Sequence, residues 1–128
     1  MVTGTQSCIF CNIEPNLIII ENELAYGIRD GFPVTSLHSL IIPKRHISSY
    51  FDLTQKELMA CNELIREIQT QIREHDPTVT GFNVGVNIGK TAGQTIFHSH
   101  IHLIPRREGD TPNPKGGVRH VIPEKGFY

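Results

Sequence analysis

Between Leu17 and Arg29 the chain carries two short apolar runs split at Asn22, a turn former. Leu17–Glu21 is rich in β-branched residues, and Leu24–Arg29 follows closely enough to be its hairpin partner. Asp30-Gly31-Phe32-Pro33 reads as a turn, and His38–Pro43 as a third strand stopped by its proline. From Thr54 the period changes. Leu58, Cys61, Ile65, Ile68 and Ile72 recur at three- and four-residue steps and make the apolar stripe of a helix, while Glu63, Arg66, Glu67, Arg73 and Glu74 take its other face. Thr54 and Glu57 have the spacing of a capping box. His75-Asp76-Pro77 ends the helix, with His75 placed as a cation on the C-terminal dipole. Gly81–Ile88 reads as a fourth strand, Gly89–Gln94 as a glycine-containing loop and Thr95–Ile104 as a fifth strand. Gly and Pro interrupt everything from Arg106 to Tyr128, which predicts an irregular tail packed on the body or on a partner, with His120 in a strand of that tail. Strands in runs with one long amphipathic helix predict an α+β fold: a five-stranded, mostly antiparallel sheet, the helix, and the tail.

Composition narrows the class. The 128 residues show no internal repeat and no low-complexity tract, and a single domain over 1–128 is expected. A formal charge of -1 gives no reason to expect a nucleic-acid or anionic-membrane surface. No apolar run approaches the ~20 residues that span a bilayer. Met1–Ser7 has no basic region followed by an apolar one, so the expected location is the cytoplasm, where the three cysteines would not form a structural disulfide. Cys61 falls on the apolar stripe of the helix and reads as core packing.

The chemistry concentrates in Phe97-His98-Ser99-His100-Ile101-His102-Leu103. In an extended strand His98, His100 and His102 leave one face together, and three of the chain's seven histidines stand there. Such a row suits metal binding or phosphorus chemistry: one imidazole nitrogen attacks while the other donates the hydrogen bond that fixes the tautomer. A single catalytic metal held by all three is the competing reading, but the outer two of such a row lie roughly 13 Å apart. Cys8 and Cys11 have the C-x-x-C spacing at which two thiolates reach one zinc; with no second such pair, the remaining ligands must be histidines. The basic pairs Lys44-Arg45 and Arg106-Arg107 flank these elements and could attract a polyphosphate, although exposed basic pairs are common.

Gly93-Gln94-Thr95, followed by the alternating His98, His100 and His102 and by Leu103-Ile104, resembles the signature of the histidine-triad (HIT) family. Cys8-Ile9-Phe10-Cys11, the segment His38–Ile47 with Pro43-Lys44-Arg45-His46, and the spacing from Asn87 to Gln94 match as well, so the resemblance runs from residue 8 to about residue 107 and leaves the tail unassigned. Ser99 departs from the pattern, which wants an apolar residue there. The resemblance implies a HIT-like fold and a nucleotide hydrolase or nucleotidyl transferase, acting on the α-phosphate of nucleoside phosphoramidates or dinucleoside polyphosphates with a purine nucleotide as substrate. His100 would be the covalent nucleophile and His102 a contact to phosphate oxygens or leaving group. Gly93, Gln94 and Thr95 would hold the phosphate, with Asn87 in support, Asp30 on the ribose and His38 beside the nucleophile. The resemblance further implies a structural zinc on Cys8, Cys11, His46 and His98, no catalytic metal, and a homodimer. A nucleotide-binding regulatory module with incidental turnover would carry the same residues.

Overall fold

In the computed structural model, which describes residues 4–128, the chain starts with a single helical turn, α1 (Gly4–Ser7). The export reading of the N-terminus falls in part on residues 1–3, outside the described residues. The strands are β1 (Ile18–Glu21), β2 (Ala25–Arg29), β3 (Ser39–Pro43), β4 (Val79–Gly85) and β5 (Ile101–Arg107), and the long helix α2 (Gln55–His75) joins β3 to β4. One sheet results, in the order β1-β2-β3-β5-β4, with every neighbouring pair antiparallel. The α+β reading therefore holds.

Local chemistry explains the elements. Asn22 makes the β1–β2 turn by accepting at Oδ1 from the N–H groups of Leu24 (3.1 Å) and Ala25 (2.9 Å). Thr54 Oγ1 accepts from Glu57 N–H at 3.1 Å while Glu57 Oε1 accepts from Thr54 N–H at 2.8 Å, the reciprocal cap that starts α2. Arg45 adds a two-pronged ion pair to the same carboxylate, which lies buried and titrates far down, at about 2, chiefly because of that hydrogen-bonded guanidinium. Cys61, Leu64, Ile68 and Ile72 of α2 pack on Ala25, Ile41, Ile101 and Leu103 of the sheet. Leu64 is the core residue that the apolar spacing passed over, and Ile65 beside it is only half-buried. Gly27 lets the helix approach, since a Cβ there would stand 2.7 Å from Ile68 Cδ1. The Cys61 thiol is pushed up to about 11 by burial and serves as packing.

The other sheet face carries a second apolar cluster of Phe10, Tyr26, Ile28, Leu40 and Ile42. Leu40 pairs directly with His102 across β3 and β5, so His102 stands on this second face.

The boundaries of two strands move. β4 starts at Val79 and ends at Gly85, earlier than the expected Gly81–Ile88. β5 starts at Ile101 instead of Thr95, so only His102 of the three histidines lies in a strand. The preceding segment spends its hydrogen bonds elsewhere: Ser99 N–H donates to Ile47 O at 2.7 Å, and Ile96 O accepts from the Gln94 side chain at 3.1 Å. β5 also runs through Pro105, because β3 pairs with it only as far as Ser39↔Leu103, and past that point no partner on the β3 side asks for an N–H. In the tail, Gly117–Val121 forms a 3-10 turn in place of the expected strand around His120. Among the described residues no helix is long and apolar enough to cross a membrane.

Candidate functional site

Two clusters of donor atoms flank His100. In the first, Cys8, Cys11, His46 and His98 each bring one ligand atom within 4.8 Å of all the others. His98 Nδ1 lies 3.4 Å from Cys8 Sγ, 3.5 Å from Cys11 Sγ and 3.3 Å from His46 Nδ1, and His46 Nδ1 lies 3.2 Å from Cys11 Sγ. A tetrahedron with metal–nitrogen bonds of about 2.0–2.1 Å and metal–sulfur bonds of about 2.3 Å has edges of roughly 3.3–3.8 Å. The observed separations fall at or just below that range, so a tetrahedral ion such as zinc fits the space. The tautomer fits as well. His98 Nε2 is 2.7 Å from the carbonyl oxygen of Pro43, which can only accept; Nε2 therefore bears the proton and Nδ1 turns its lone pair into the cluster. Burial holds the His98 imidazole below its ordinary pKa, in the neutral form that a metal requires.

The second cluster, Asp30, His38 and His102, is built with the opposite polarity. The backbone N–H of Val34 donates to His38 Nδ1 at 3.1 Å, which places the His38 proton on Nε2. That proton is directed at His102 Nδ1, 2.9 Å away, with Asp30 Oδ2 at 3.3 Å from the same nitrogen. His102 Nδ1 accepts, so its own proton resides on Nε2. These three donors also lie within 4.8 Å of one another, but the N–H of His38 occupies the space a metal would need. Burial lowers both imidazoles below their ordinary pKa, and the Asp30 carboxylate opposes the shift in each. The cluster is a chain of oriented N–H groups ending at His102.

His100 stands between the two. Its Nδ1 donates to the carbonyl oxygen of His98 at 2.8 Å, leaving Nε2 as the lone-pair nitrogen. Its ring is 5.3 Å from that of His102 and 5.0 Å from that of Phe10, and the residue is buried. The three triad imidazoles thus take different partners and do not converge on a common point, which removes the single-metal arrangement of the row.

The other expected site residues separate into two groups. Asn87 lines a cavity of about 650 Å³ together with His38 and His102. Gln94 is buried and bridges backbone: its Oε1 accepts from Gly89 N–H at 2.9 Å, and its Nε2 donates to Ser48 O at 2.9 Å and Ile96 O at 3.1 Å. It closes the Gly89–Gln94 loop, whose glycines at φ 89° and 94° take conformations disfavoured for other residues. Gly93 is exposed, and Thr95 opens on a separate cleft beside Cys8 and His46. All four basic residues of the flanking pairs have internal partners, Lys44 on Glu21, Arg45 on Glu57, Arg106 on Asp110 and Arg107 on Asp76. Sequence reasoning missed Asn83, Asp110 and Val118 as cavity walls. A signal existed for Asn83, which pairs with Ile104 and so shares the face of His102 two residues away.

With this geometry in place, likeness to known proteins becomes informative. A family model described as HIT domain matches residues 12–109. An uncharacterised HIT-like protein of Mycoplasma genitalium is 40% identical over 108 residues, covering 81% of this chain and 76% of the relative. An AP-4-A phosphorylase of Mycobacterium tuberculosis is 36% identical over 102 residues, covering 76% of this chain but only 50% of that protein. The solved structure of a Zn-bound histidine triad family protein from Mycobacterium smegmatis is similar at a TM-score of 0.76 and 36% identity, covering 85% of this chain and 81% of that one. The matched region holds the whole second cluster, His46 and His98 of the first, and His100 between them, and this chain belongs to the HIT domain family.

Proposed function

We propose that this protein is a nucleotide hydrolase or nucleotidyl transferase acting at the α-phosphate of nucleoside phosphoramidates or dinucleoside polyphosphates, through a covalent nucleotidyl-histidine on His100. The observation that carries the reading is the hydrogen bond from His100 Nδ1 to His98 O, which leaves Nε2 as the nucleophile. Nε2 attacks the α-phosphorus; a P–N bond forms as the bond from phosphorus to the leaving oxygen or nitrogen breaks. The leaving group takes the electron pair and a proton from solvent, while His102 Nε2–H hydrogen-bonds the departing atom or a phosphate oxygen. Water then attacks phosphorus, the P–N pair returns to His100, a proton goes to solvent, and a nucleoside monophosphate is released. Asp30 would take the ribose. The apolar cluster of Phe10, Ile28 and Leu40 would take the base, a purine by resemblance, on the sheet face it shares with His102. Asn87 and Gly93 would contact phosphate, with Gln94 holding the Gly89–Gln94 loop, while Thr95 opens on the cleft beside Cys8 and His46.

Cys8, Cys11, His46 and His98 would hold a structural zinc; their mutual separations support the reading, as does likeness to a Zn-bound histidine triad family protein. Bound there, the ion would tie the N-terminal segment to the sheet and fix His98, whose carbonyl orients His100. No catalytic metal is part of the scheme, and the location is the cytoplasm, where these thiols stay reduced. The reading includes a homodimer: β4 ends the sheet, and Phe51, Ile65, Val84 and Ile88 line an apolar groove beside it. A single-subunit mass in sedimentation at micromolar concentration would remove the dimer.

The test follows AMP release from adenosine phosphoramidate and from diadenosine polyphosphates, by the unsubstituted protein, by His100→Ala and after chelation. Release that vanishes in His100→Ala, survives chelation of folded protein, and passes through an acid-quenched adenylylated enzyme is the expected result. Release that depends on added metal and ignores His100 would overturn the reading.

A further inference from the structure

His38 is delivered to His102 by a backbone conformation that its neighbour disfavours. Leu37 has φ 72°, in the left-handed region where a Cβ crowds the backbone and which glycine normally occupies. Such a conformation persists only where the surroundings over-determine it.

The surroundings of Leu37 do so from both sides. Upstream, Thr35 Oγ1 donates to Pro105 O at 2.7 Å and Ser36 O accepts from Arg107 Nη2 at 3.0 Å, which ties the incoming chain to β5. Downstream, Ser39 pairs with Arg29 at the end of the β2–β3 ladder, and Asp30 N–H donates to His38 O at 2.9 Å. The chain turns between these anchors at Leu37. A side chain then grips its carbonyl: Ser39 Oγ, fully buried, donates to Leu37 O at 2.8 Å and accepts from Arg29 Nη1 at 2.6 Å. The second bond directs the first, since a hydroxyl that receives an N–H on one side turns its single proton to the other acceptor.

Nothing in the scheme at His100 accounts for Arg29. It is half-buried, and burial pulls its pKa below the ordinary guanidinium value. Among the described residues no carboxylate lies within ion-pair distance of it. Its charge instead strengthens the bond to Ser39. Alternation from Ile28 and Leu40 puts Arg29 and Ser39 on the α2 face of the sheet, opposite His102. Any effect they have on the reaction passes through the backbone of Leu37 and His38.

We propose that Arg29 and Ser39 are positioning residues: they keep Leu37 left-handed, so that His38 seats Nδ1 on the Val34 N–H and aims its Nε2 proton at His102. The consequence for rate rests on the proposed chemistry at His100, whereas the consequence for the His38 ring does not.

The experiment compares the unsubstituted protein with Ser39→Ala, Arg29→Met, and Ser39→Ala in a Leu37→Gly background. It measures kcat and KM for AMP release from adenosine phosphoramidate and diadenosine tetraphosphate. It also records the ¹⁵N spectrum of the His38 imidazole, which separates a protonated from a lone-pair nitrogen without turnover. Ser39→Ala should lower kcat about tenfold with KM within about twofold, and His38 should lose its single Nε2–H form. Arg29→Met, at a half-buried position, should give the same pattern and answers the question if Ser39→Ala does not fold. With Leu37→Gly the left-handed conformation needs no support, so there Ser39→Ala should cost no more than about twofold. An unchanged His38 spectrum and kcat in both single variants would overturn the proposal, as would a full tenfold loss in the Leu37→Gly background. If the unsubstituted protein releases AMP from neither substrate, the proposed function fails, and the His38 spectrum alone still decides whether Arg29 and Ser39 set that ring.

Discussion

The clusters on either side of His100 are made of nearly the same material and do opposite things. Each gathers imidazoles and acidic partners within 4.8 Å, and each contains one outer histidine of the triad. At His98 a carbonyl behind the ring takes the proton outward, and a lone pair faces the cluster. At His38 an amide N–H behind the ring takes the lone pair, and the proton faces the cluster. One backbone group behind His98 and another behind His38 thus set whether a lone pair or a proton turns to each cluster.

The sharpest break of this comparison comes at the cation side. Cys11→Ser removes one ligand of a closed site, and without metal the first cluster has nothing to offset the burial of its polar atoms. We expect a loss on the order of 3 kcal/mol in unfolding free energy and loss of bound zinc. Chelation should reproduce the loss in the unsubstituted protein and add nothing to Cys11→Ser. Equal stability of the two proteins, with zinc present in neither, would place both clusters in the same class. At the other side, His38→Ala withdraws the N–H that fixes the His102 tautomer. A fall in kcat of about 10–100-fold with zinc content intact is expected; a fall in zinc content would show that the clusters are not independent.

A smaller effect separates charge from orientation. His38 and His102 are held below the ordinary imidazole pKa by burial, so the acid limb of kcat should lie below about 6.5. The Asp30 carboxylate raises both, and Asp30→Asn removes that support. The acid limb should therefore move to still lower pH, with the low-pH side of the profile gaining relative activity. A limb that moves upward, or stays where it is, would mean that neither His38 nor His102 titrates in the catalytic step.

How much of this was readable beforehand depends on the range of the interactions. The Thr54–Glu57 cap, the Asn22 turn and the α2 stripe are set by residues within a few positions of one another, and they were legible. So was the membership of the first cluster, because the family resemblance supplies His46 and His98 for Cys8 and Cys11. The start of β5 was not. Period-two alternation at His98 to His102 implies a strand throughout, yet Ser99 bonds to Ile47 and Gln94 to Ser48, partners that lie roughly fifty positions back. The polarity of His98 was equally hidden, since Pro43 O lies 55 positions back, whereas the Val34 N–H that orients His38 is four positions away and shows no periodic signal. The tail's place over the cavity had no periodic signal, because it is fixed by Gly126 against His120 and by two cations over Tyr128.

The residue between His98 and His100 supplies the finest test of the comparison. Ser99 is 1% exposed, its backbone N–H is bonded to Ile47 O at 2.7 Å, and its Oγ is the one buried side-chain polar atom without a partner among the described residues. A buried hydroxyl with no partner costs about 1–3 kcal/mol, whereas removing one oxygen leaves only a small void. Ser99→Ala should therefore raise stability by about 1 kcal/mol, or roughly 3–5 °C in Tm for a chain of this size. It should do so without altering zinc content or kcat, because neither cluster uses the hydroxyl. A lower Tm would reveal a partner for Oγ. A changed kcat at unchanged Tm would show that the joint between the clusters, and not only the backbone group behind each ring, sets what the imidazoles do.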